Sequence, residues 1–282
     1  MGSDNMPELP EVETVKETLK RKVLNKTIKE VRVIYPNIIE NVDTDTFIKK
    51  LKNQTIIDIT RRGKWLIFHL NDYYLLSHLR MEGKYFLKDS SEEITKHQHV
   101  IFDFTDGLSL RYNDTRKFGR MHLVDKDKLE EAKPIQELGL EPWDKNLNST
   151  YLKEKYKTKK LPIKTVILDQ GIITGIGNIY ADEILFLSKI NPYTPCNKLN
   201  DKDRNNIIKN TKITLEKAIS EGGTTIRSYT SDEGITGLFQ NNLYVHCREK
   251  EECLTCKSII LKTRIGGRGT YYCPKCQKER ND

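Results

Sequence analysis

Apolar residues near the amino terminus recur every three or four positions, at Val12, Val15, Leu19 and Val23. This spacing places them on one face of a helix over residues 10–23. Pro10 suits the first turn of such a helix, because its missing N–H would have no partner there. The acidic side chains of Glu11 and Glu13 complement the positive end of the helix dipole.

From residue 28 to about residue 124 the hydrophobic pattern changes to short apolar runs. The runs cover residues 55–60, 65–70, 73–79, 99–104, 108–112 and 119–124. Turn-forming pairs such as Asn71-Asp72 and Asp106-Gly107 separate several of them. Many short strands at this spacing predict an antiparallel β-sandwich or barrel.

The second half of the chain has a different character. Residues 134–150 are rich in Pro, Asn, Asp and Lys, which indicates a linker. Residues 151–222 are mostly helical, and the period of 3.6 residues stops at Gly222-Gly223. Residues 224–242 hold much Thr, Ser, Gly and Asp, which indicates a loop.

Within the helical region, residues 168–183 (LDQGIITGIGNIYADE) predict two turns between two helices. An apolar helix ends near Gly171, the turns contain Gly175 and Gly177, and a new helix begins at Asn178. Backbone amides at a helix start attract phosphate, and the Asn178 side chain could add a donor. Alternatively, Asn178 serves only as the N-cap of its helix.

The carboxy-terminal 38 residues form a separate cysteine module. Cys253 and Cys256 make one pair with a two-residue spacer, and Cys273 and Cys276 make a second. This spacing predicts one tetrahedral zinc site, with a coincidental spacing or two redox pairs as the alternatives. Four thiolates leave no open position for water, so the zinc is expected to be structural. Cys196 and Cys247 are expected to be ordinary thiols.

The charge of the chain favours a polyanionic partner. The formal net charge is +8, and residues 245–282 hold nine Lys or Arg against five Asp or Glu. Residues 262–269 (KTRIGGRG) resemble a basic hairpin, in which glycines allow close approach to phosphates and Arg provides a bidentate donor. A solvated charged turn is the alternative.

Features of a membrane or secreted protein are missing from the sequence. No apolar run approaches the roughly 20 residues of a membrane span. The start lacks a basic segment followed by an apolar one, so it is not a signal peptide. We therefore expect a cytoplasmic protein with no membrane partner, and interpret residues 1–5 as an extension before Met6.

Several independent motifs occur in the order found in one protein family. They are residues 7–14 (PELPEVET), 62–65 (RGKW), 78–81 (HLRM), 113–119 (NDTRKFG), 168–183, 237–240 (GLFQ) and the four-cysteine module. From Pro7 to about Lys278 the chain resembles formamidopyrimidine-DNA glycosylase, a bacterial enzyme that removes oxidised purines from DNA.

The resemblance implies an α+β fold with a β-sandwich and flanking helices first. A helix–two-turns–helix domain with a carboxy-terminal zinc-finger β-hairpin follows. The implied boundaries are an extension with the initiator methionine (1–6), a catalytic sandwich domain (7–141), a helical domain (142–242) and a zinc finger (243–282). Double-stranded DNA with an oxidised purine or an abasic site would lie in a basic cleft between the domains. We expect a monomer associated with the bacterial nucleoid.

The implied chemistry begins at Pro7. In the family, the proline amine attacks C1′ of the damaged nucleotide, and the iminium ion that forms allows strand cleavage by β- and then δ-elimination. Glu8 matches the catalytic acid, and Lys64 matches a lysine that contacts the phosphate and the damaged nucleotide. Glu11 matches a supporting acid. Alternatively, Glu8 and Glu11 only complement a helix dipole.

The resemblance also implies a set of DNA contacts. Phosphate contacts match His78, Asn178, Tyr244 and Arg268. The side chains that fill the space of the extruded base match Met81, Arg116 and Phe118, although Met81 and Phe118 would otherwise be assigned to the core. Residues 224–240 match the loop that covers the extruded base.

The chain departs from the family pattern at Arg80, Thr115 and the pair His246-Cys247. Arg80 and Thr115 lie next to residues that match the inserted side chains. Two other functions compete. Endonuclease VIII, the sister enzyme, prefers oxidised pyrimidines, and a zinc-ribbon protein could bind DNA without catalysis. If residues 1–6 stay attached, the Pro7 nitrogen is an amide, and we expect binding with little cleavage.

Overall fold

The computed structural model describes residues 6–222, 234, 235 and 242–280. The chain divides into two compact units. Pro10–Gln136 and Ile219–Leu238 form the sandwich unit; Met1–Leu9, Glu137–Ala218 and Phe239–Asp282 form the helical unit. Apart from residues 234 and 235, the predicted lesion-recognition loop 224–240 lies outside the described residues. Residues 1–5 also lie outside them.

The described residues of the sandwich unit form eight strands. They are β1 (Ile28–Val33), β2 (Asp58–Arg62), β3 (Trp65–His69), β4 (Tyr73–His78), β5 (Lys84–Asp89), β6 (Gln98–Phe104), β7 (Leu108–Asn113) and β8 (Arg120–Asp125). They form two antiparallel sheets, one in the order β1-β6-β7-β5 and the other in the order β2-β3-β4-β8. The predicted antiparallel sandwich is therefore confirmed.

The sandwich core lies between the two sheets and their helices. Phe68 and Leu75 of one sheet and Phe102 and Leu110 of the other belong to one buried cluster. Helix α1 (Leu9–Val23) closes the core with its predicted apolar face, Val12, Val15, Leu19 and Val23, each no more than 1% exposed. This confirms the first predicted helix.

The apolar runs in the sequence did not predict three elements of the sandwich unit. Two of them are strands β1 and β5, which form the edges of their sheet and contain charged residues that interrupt the apolar pattern. Helix α2 (Thr44–Leu51) lies inside the region that predicts only strands. Its N-cap is Asp43, whose carboxylate accepts a hydrogen bond from the Thr46 N–H at 2.8 Å. A further short helix, α3 (Lys133–Gln136), ends the first segment of the unit.

The helical unit contains the remaining elements. They are α4 (Ser149–Tyr156), α5 (Ile163–Ile167), α6 (Asn178–Leu187), α7 (Asp201–Glu221) and the hairpin strands β9 (Leu261–Ile265) and β10 (Arg268–Tyr272). Helix α6 begins at Asn178 and α7 ends before Gly222, as predicted. Helix α5 ends at Ile167, four residues before Gly171, and α3 and α4 occupy both ends of the predicted linker.

Among the described residues, no helix has the length and apolar character needed to cross a membrane. The longest helix in the described ranges, α7, has charged and polar residues throughout its 21 residues.

Candidate functional site

The residue after Pro7 is anchored to the amino-terminal end of α6. Glu8 is 1% exposed, and its carboxylate accepts hydrogen bonds from the backbone N–H groups of Gly177 (2.7 Å), Ile179 (2.7 Å) and Tyr180 (3.3 Å). The Leu9 N–H donates to the carbonyl of Gly175 at 3.0 Å. Both residues that follow Pro7 are therefore fixed, and Pro7 itself is half-buried.

Glycine is required where Glu8 meets this turn. A Cβ on Gly177 would lie 2.5 Å from Glu8 Cδ. Gly177 is the N-cap residue of α6 and has no side chain to cap the helix. The Glu8 carboxylate supplies that cap, so the interpretation of Glu8 as a partner of the α1 dipole is incomplete. The missing N-cap side chain before α6 is the sequence signal that could have indicated an acceptor from elsewhere.

Asn178 occupies the first helical position, not the N-cap, so the N-cap interpretation of this residue is wrong. Its Nδ2 donates a hydrogen bond to the carbonyl of Gly269 at 3.0 Å. Its Oδ1 is buried and has no hydrogen-bond partner in the part of the chain that the structure describes. The structure thus brings Asn178 together with the hairpin that carries Arg268.

A buried charge cluster beneath the hairpin was not found by sequence reasoning. The Asp182 carboxylate pairs with the Lys164 ammonium, and both side chains are fully buried. It also accepts from His246 Nδ1 at 2.8 Å and from the Tyr271 N–H at 3.2 Å. Burial lowers the pKa of Lys164, and the Asp182 charge opposes that shift. Through Asp182, this cluster connects α5, α6, His246 and β10.

Glu183, the residue after Asp182, holds the backbone of Tyr244. Glu183 accepts hydrogen bonds from the backbone N–H groups of Tyr244 (2.6 Å), Val245 (2.9 Å) and His246 (2.9 Å). The Tyr244 ring stacks on Phe186 with centroids 5.4 Å apart. Burial raises the pKa of Glu183, and the three backbone donors oppose that shift.

In the sandwich unit, Lys64 lies in the β2–β3 turn and His78 ends β4. Both are buried, with exposures of 7% and 9%. His78 Nδ1 accepts a hydrogen bond from the Arg80 N–H at 3.1 Å. Burial, followed by the charges of Arg80 and Lys64, holds the pKa of His78 well below its ordinary value of 6.5. Glu11 is also buried, at 5% exposure, in the first turn of α1.

The three candidate inserting side chains lie together at the surface. The Arg116 guanidinium donates to Met81 Sδ at 3.3 Å and lies 4.7 Å from the centre of the Phe118 ring. Phe118 is 44% exposed and Met81 is only half-buried, so the assignment of these two residues to the core is wrong. Large exposed apolar side chains beside a cation suit insertion into a base stack.

The loop that carries Arg116 and Phe118 is built around Asp114, which is fully buried. Its carboxylate accepts hydrogen bonds from Tyr112 Oη (2.9 Å) and from the N–H groups of Arg116 (3.0 Å), Lys117 (3.0 Å) and Gly119 (2.8 Å). A Cβ on Gly119 would lie 1.6 Å from Tyr112 Oη. These contacts explain the Asp and Gly of the NDTRKFG motif.

The four cysteines of the carboxy-terminal module come together as predicted. Their sulfurs lie within 4.8 Å of one another. Cys253 Sγ is 3.9 Å from Cys276 Sγ, and Cys256 Sγ is 3.4 Å from Cys273 Sγ. Four sulfurs at about 2.3 Å from a tetrahedral Zn²⁺ would be about 3.8 Å apart, so the residues fit one zinc ion. Cys196 is buried away from this cluster and Cys247 is exposed.

Family models match most of the chain. The formamidopyrimidine-DNA glycosylase N-terminal domain matches residues 6–121, the H2TH domain of the same enzyme matches residues 138–230, and a zinc finger found in this enzyme and in isoleucyl-tRNA synthetase matches residues 250–278. The chain belongs to the formamidopyrimidine-DNA glycosylase family.

Relatives in this glycosylase family align over nearly the full length. The formamidopyrimidine-DNA glycosylase of Shouchella clausii is 50% identical over 273 residues, which cover 96% of this chain and 99% of the relative. The enzyme of Bacillus subtilis is 46% identical over 276 residues, with 98% and 100% coverage. The glycosylase function in DNA repair follows from these matches. The zinc-finger match and the four clustered cysteines indicate one structural zinc.

Solved structures of the family confirm the fold. A Lactococcus lactis glycosylase in complex with DNA containing an abasic site superposes with a TM-score of 0.88 at 37% identity, covering 96% of this chain and all of that one. The same protein has been solved with DNA containing an oxidised pyrimidine, with a TM-score of 0.88 at 36% identity. The α+β architecture is therefore established, and DNA is the partner of this family.

Proposed function

We propose that this glycosylase excises oxidised purines, such as 8-oxoguanine and formamidopyrimidines, from duplex DNA and then cleaves the strand at the abasic site. The amine of Pro7 is the nucleophile. The observation that carries the proposal is the anchoring of Glu8 and Leu9 to the turn before α6, because it fixes the position of the preceding residue.

The Pro7 amine suits this reaction chemically. A free α-amino group titrates near pH ~8, so a useful fraction is neutral at neutral pH. Its nitrogen forms a bond to C1′ as the damaged base leaves. Opening of the sugar ring gives an iminium ion, since a secondary amine keeps a positive charge in the C=N bond. That cation withdraws electrons, the C2′ proton is lost, and the phosphates leave by β- and then δ-elimination.

Glu8 is the proposed proton carrier, transferring protons at the sugar oxygen and during elimination. Three backbone N–H groups at the start of α6 fix the position of its carboxylate. Lys64 is proposed to contact the phosphate and the damaged nucleotide, and Glu11 to support the site. Burial limits the movement of both side chains, which favours a fixed geometry.

Two groups of side chains are proposed to hold the DNA. His78, Asn178, Tyr244 and Arg268 contact phosphates. Met81, Arg116 and Phe118 fill the space left by the extruded base, offsetting a cost of a few kcal/mol in lost stacking and pairing. The clustering of the latter three at the surface supports this role. Arg116 can also hydrogen-bond an orphaned cytosine.

The test of the mechanism is borohydride trapping on DNA that contains 8-oxoguanine. A polypeptide that begins at Pro7 should form a covalent adduct, whereas one that retains residues 1–6 should bind but scarcely react, because its Pro7 nitrogen is an amide. Mass spectrometry verifies both termini. Equal trapping by the two polypeptides would exclude Pro7 as the nucleophile.

The oxidised-pyrimidine alternative has a specific observation behind it, since a relative has been solved with such DNA. Single-turnover excision of 8-oxoguanine and of thymine glycol, each opposite every base, separates the two. Faster excision of thymine glycol would reverse the proposed preference.

We also propose that the protein is a monomer, which sedimentation with and without DNA tests.

A further inference from the structure

Three aromatic rings form a continuous contact on one face of the sheet β2-β3-β4-β8. The indole of Trp65 meets the His78 imidazole edge to face, with centroids 4.9 Å apart and an interplanar angle of 83°. It meets the His122 imidazole at 5.6 Å and again 83°. All three side chains are buried, with exposures of 8–9%. We call these residues the ring column.

The strand register explains why the three rings meet. Trp65 lies opposite His78 across β3 and β4, and His78 lies opposite Arg120 across β4 and β8. His122 follows Arg120 by two residues, so its side chain is on the same face of the sheet. Leu66 and Met121 point to the other face and belong to the sandwich core.

Glu40 fixes the far end of the ring column. His122 Nε2 donates a hydrogen bond to Glu40 Oε2 at 2.5 Å, and Arg120 Nε lies 3.3 Å from Glu40 Oε1. The backbone of Glu40 is itself fixed, since its N–H donates to the Met121 carbonyl at 3.0 Å. The bond to Glu40 therefore sets the orientation of the His122 ring.

The near end of the ring column is His78, whose orientation matters for binding. The Arg80 N–H can only donate, so His78 Nδ1 must accept, and the proton of the neutral ring is on Nε2. A neutral Nε2–H is a phosphate donor only if the ring keeps the rotation that aims it. One hydrogen bond at Nδ1 and one ring face on Trp65 define that rotation.

We propose that His122 is a positioning residue for the DNA contact of His78, acting through Trp65: the Glu40–His122 pair holds the indole, and the indole holds the His78 ring. The inference rests on the proposed role of His78 as a phosphate contact. His122 touches no DNA in this scheme, and its effect is carried by two aromatic contacts.

The experiment compares variants of the full chain in binding to a duplex that carries a stable abasic-site analogue. His122→Leu removes the ring and the bond to Glu40. His122→Phe keeps a ring against Trp65 without that bond. His78→Ala removes the proposed phosphate contact. The double variant His122→Leu/His78→Ala completes a double-mutant cycle between the two positions.

The chain supplies a matched control at the other end of the same strand pair. His69 lies opposite Tyr74, and their rings meet at 5.0 Å and 88°. His69→Leu therefore removes an equivalent cross-strand ring contact outside the ring column. Thermal unfolding of every variant separates loss of binding from loss of fold.

We expect His122→Leu to weaken binding about threefold to tenfold, in line with the typical strength of an aromatic pair. His122→Phe keeps the ring but not the bond to Glu40, so it should restore only part of the binding. In the His78→Ala background, His122→Leu should have no further effect, because the contact that it positions is gone. His69→Leu should leave the affinity unchanged.

Additive effects of His122→Leu and His78→Ala would overturn the inference, as would an equal loss in His69→Leu. Wild-type affinity in His78→Ala is a different result. It would show that His78 makes no DNA contact, so the proposed role of His78 would fail first and the inference with it.

Discussion

Glu8 Oε2 accepts a hydrogen bond from the backbone N–H of Gly177 at 2.7 Å, across 169 positions of sequence. The residue next to the proposed nucleophile is therefore the cap of helix α6. The start of α6 and the carboxylate proposed to be catalytic therefore fix each other's position. A change at either residue should disturb the other.

Replacing Gly177 by Ala tests this dependence. The new Cβ would lie 2.5 Å from Glu8 Cγ and Cδ, so the carboxylate must move, while the backbone angles of Gly177 suit any residue. We expect Gly177→Ala, in protein that begins at Pro7, to lower the excision rate by at least about tenfold. The unfolding free energy should fall by only about 1–2 kcal/mol, as for loss of a helix cap.

The control for this change is Gly171→Ala in the same unit. Its Cβ would meet only Asp169 Oδ1, at 3.1 Å, and the Glu137 carbonyl, at 3.5 Å. Rates from single-turnover excision and stabilities from urea unfolding should separate the two variants. Full activity of Gly177→Ala would show that the position of Glu8 is not critical.

Asp114 offers a test of the inserting loop. Asp114→Ala removes a buried acceptor of four hydrogen bonds, and we expect a loss of about 2–4 kcal/mol, since each donor left unsatisfied costs about 1–3 kcal/mol. Arg116 and Phe118 should lose their fixed positions. Fluorescence of 2-aminopurine beside the lesion measures base extrusion, which should fall.

The matching control is Asp106→Ala, an exposed turn residue whose carboxylate caps the Leu108 N–H at 3.0 Å. It should alter extrusion little. If Asp114→Ala extrudes the base normally despite its lower stability, the loop does not depend on Asp114 for its function.

The periodic elements of the fold could be predicted from sequence, and the reason is burial on one face. Helix α1 repeats its apolar residues at 3.6 positions, and β3 and β4 are short apolar runs, because each packs against the same core. Helix α2 has only Phe47 and Leu51 buried, so its pattern is too short to detect.

The candidate site could be predicted only through motifs that resemble a family. Local pattern assigned Phe118 to the core and Asn178 to an N-cap, yet one is exposed and the other is helical. The Asp182–Lys164 pair had no signal at all, because its partners are 18 residues apart and buried charges have no periodicity. Long-range polar contacts are set by tertiary structure, which local pattern does not encode.

The pKa of His78 should respond to Arg80 in a defined direction. Burial is the main cause of its low value, and the Arg80 charge is the second. Arg80 has a φ of 52°, so Arg80→Asn is the suitable change, since Asn tolerates this conformation. We expect the pKa of His78, followed by NMR of its ring protons, to rise but to stay below 6.5.

The same group sets a pH dependence of stability. In the unfolded chain His78 takes up a proton near pH 6.5, while in the folded chain it stays neutral to lower pH. Between those two values the unfolded state binds more protons, so stability falls as pH falls below about 6.5. His78→Gln should reduce this part of the acid destabilisation. An unchanged pH profile would contradict a neutral, buried His78.

Removing zinc tests what holds the basic hairpin. The four thiolates stabilise a module with a small apolar cluster that includes Val245, Ile260 and Tyr271. We expect chelation to disorder β9 and β10 and to weaken DNA binding at least about tenfold, because small modules of this kind depend on the metal for folding.

Thiol titration measures the loss of the metal site: exposed Cys247 should react first, and the four ligand cysteines only after chelation. Buried Cys196 and the β-sheet circular dichroism of the sandwich unit should stay unchanged. Should the hairpin amides keep their protection from hydrogen exchange, the buried Asp182–Lys164 cluster and the Asn178 bond to Gly269 would be sufficient to hold the hairpin without metal.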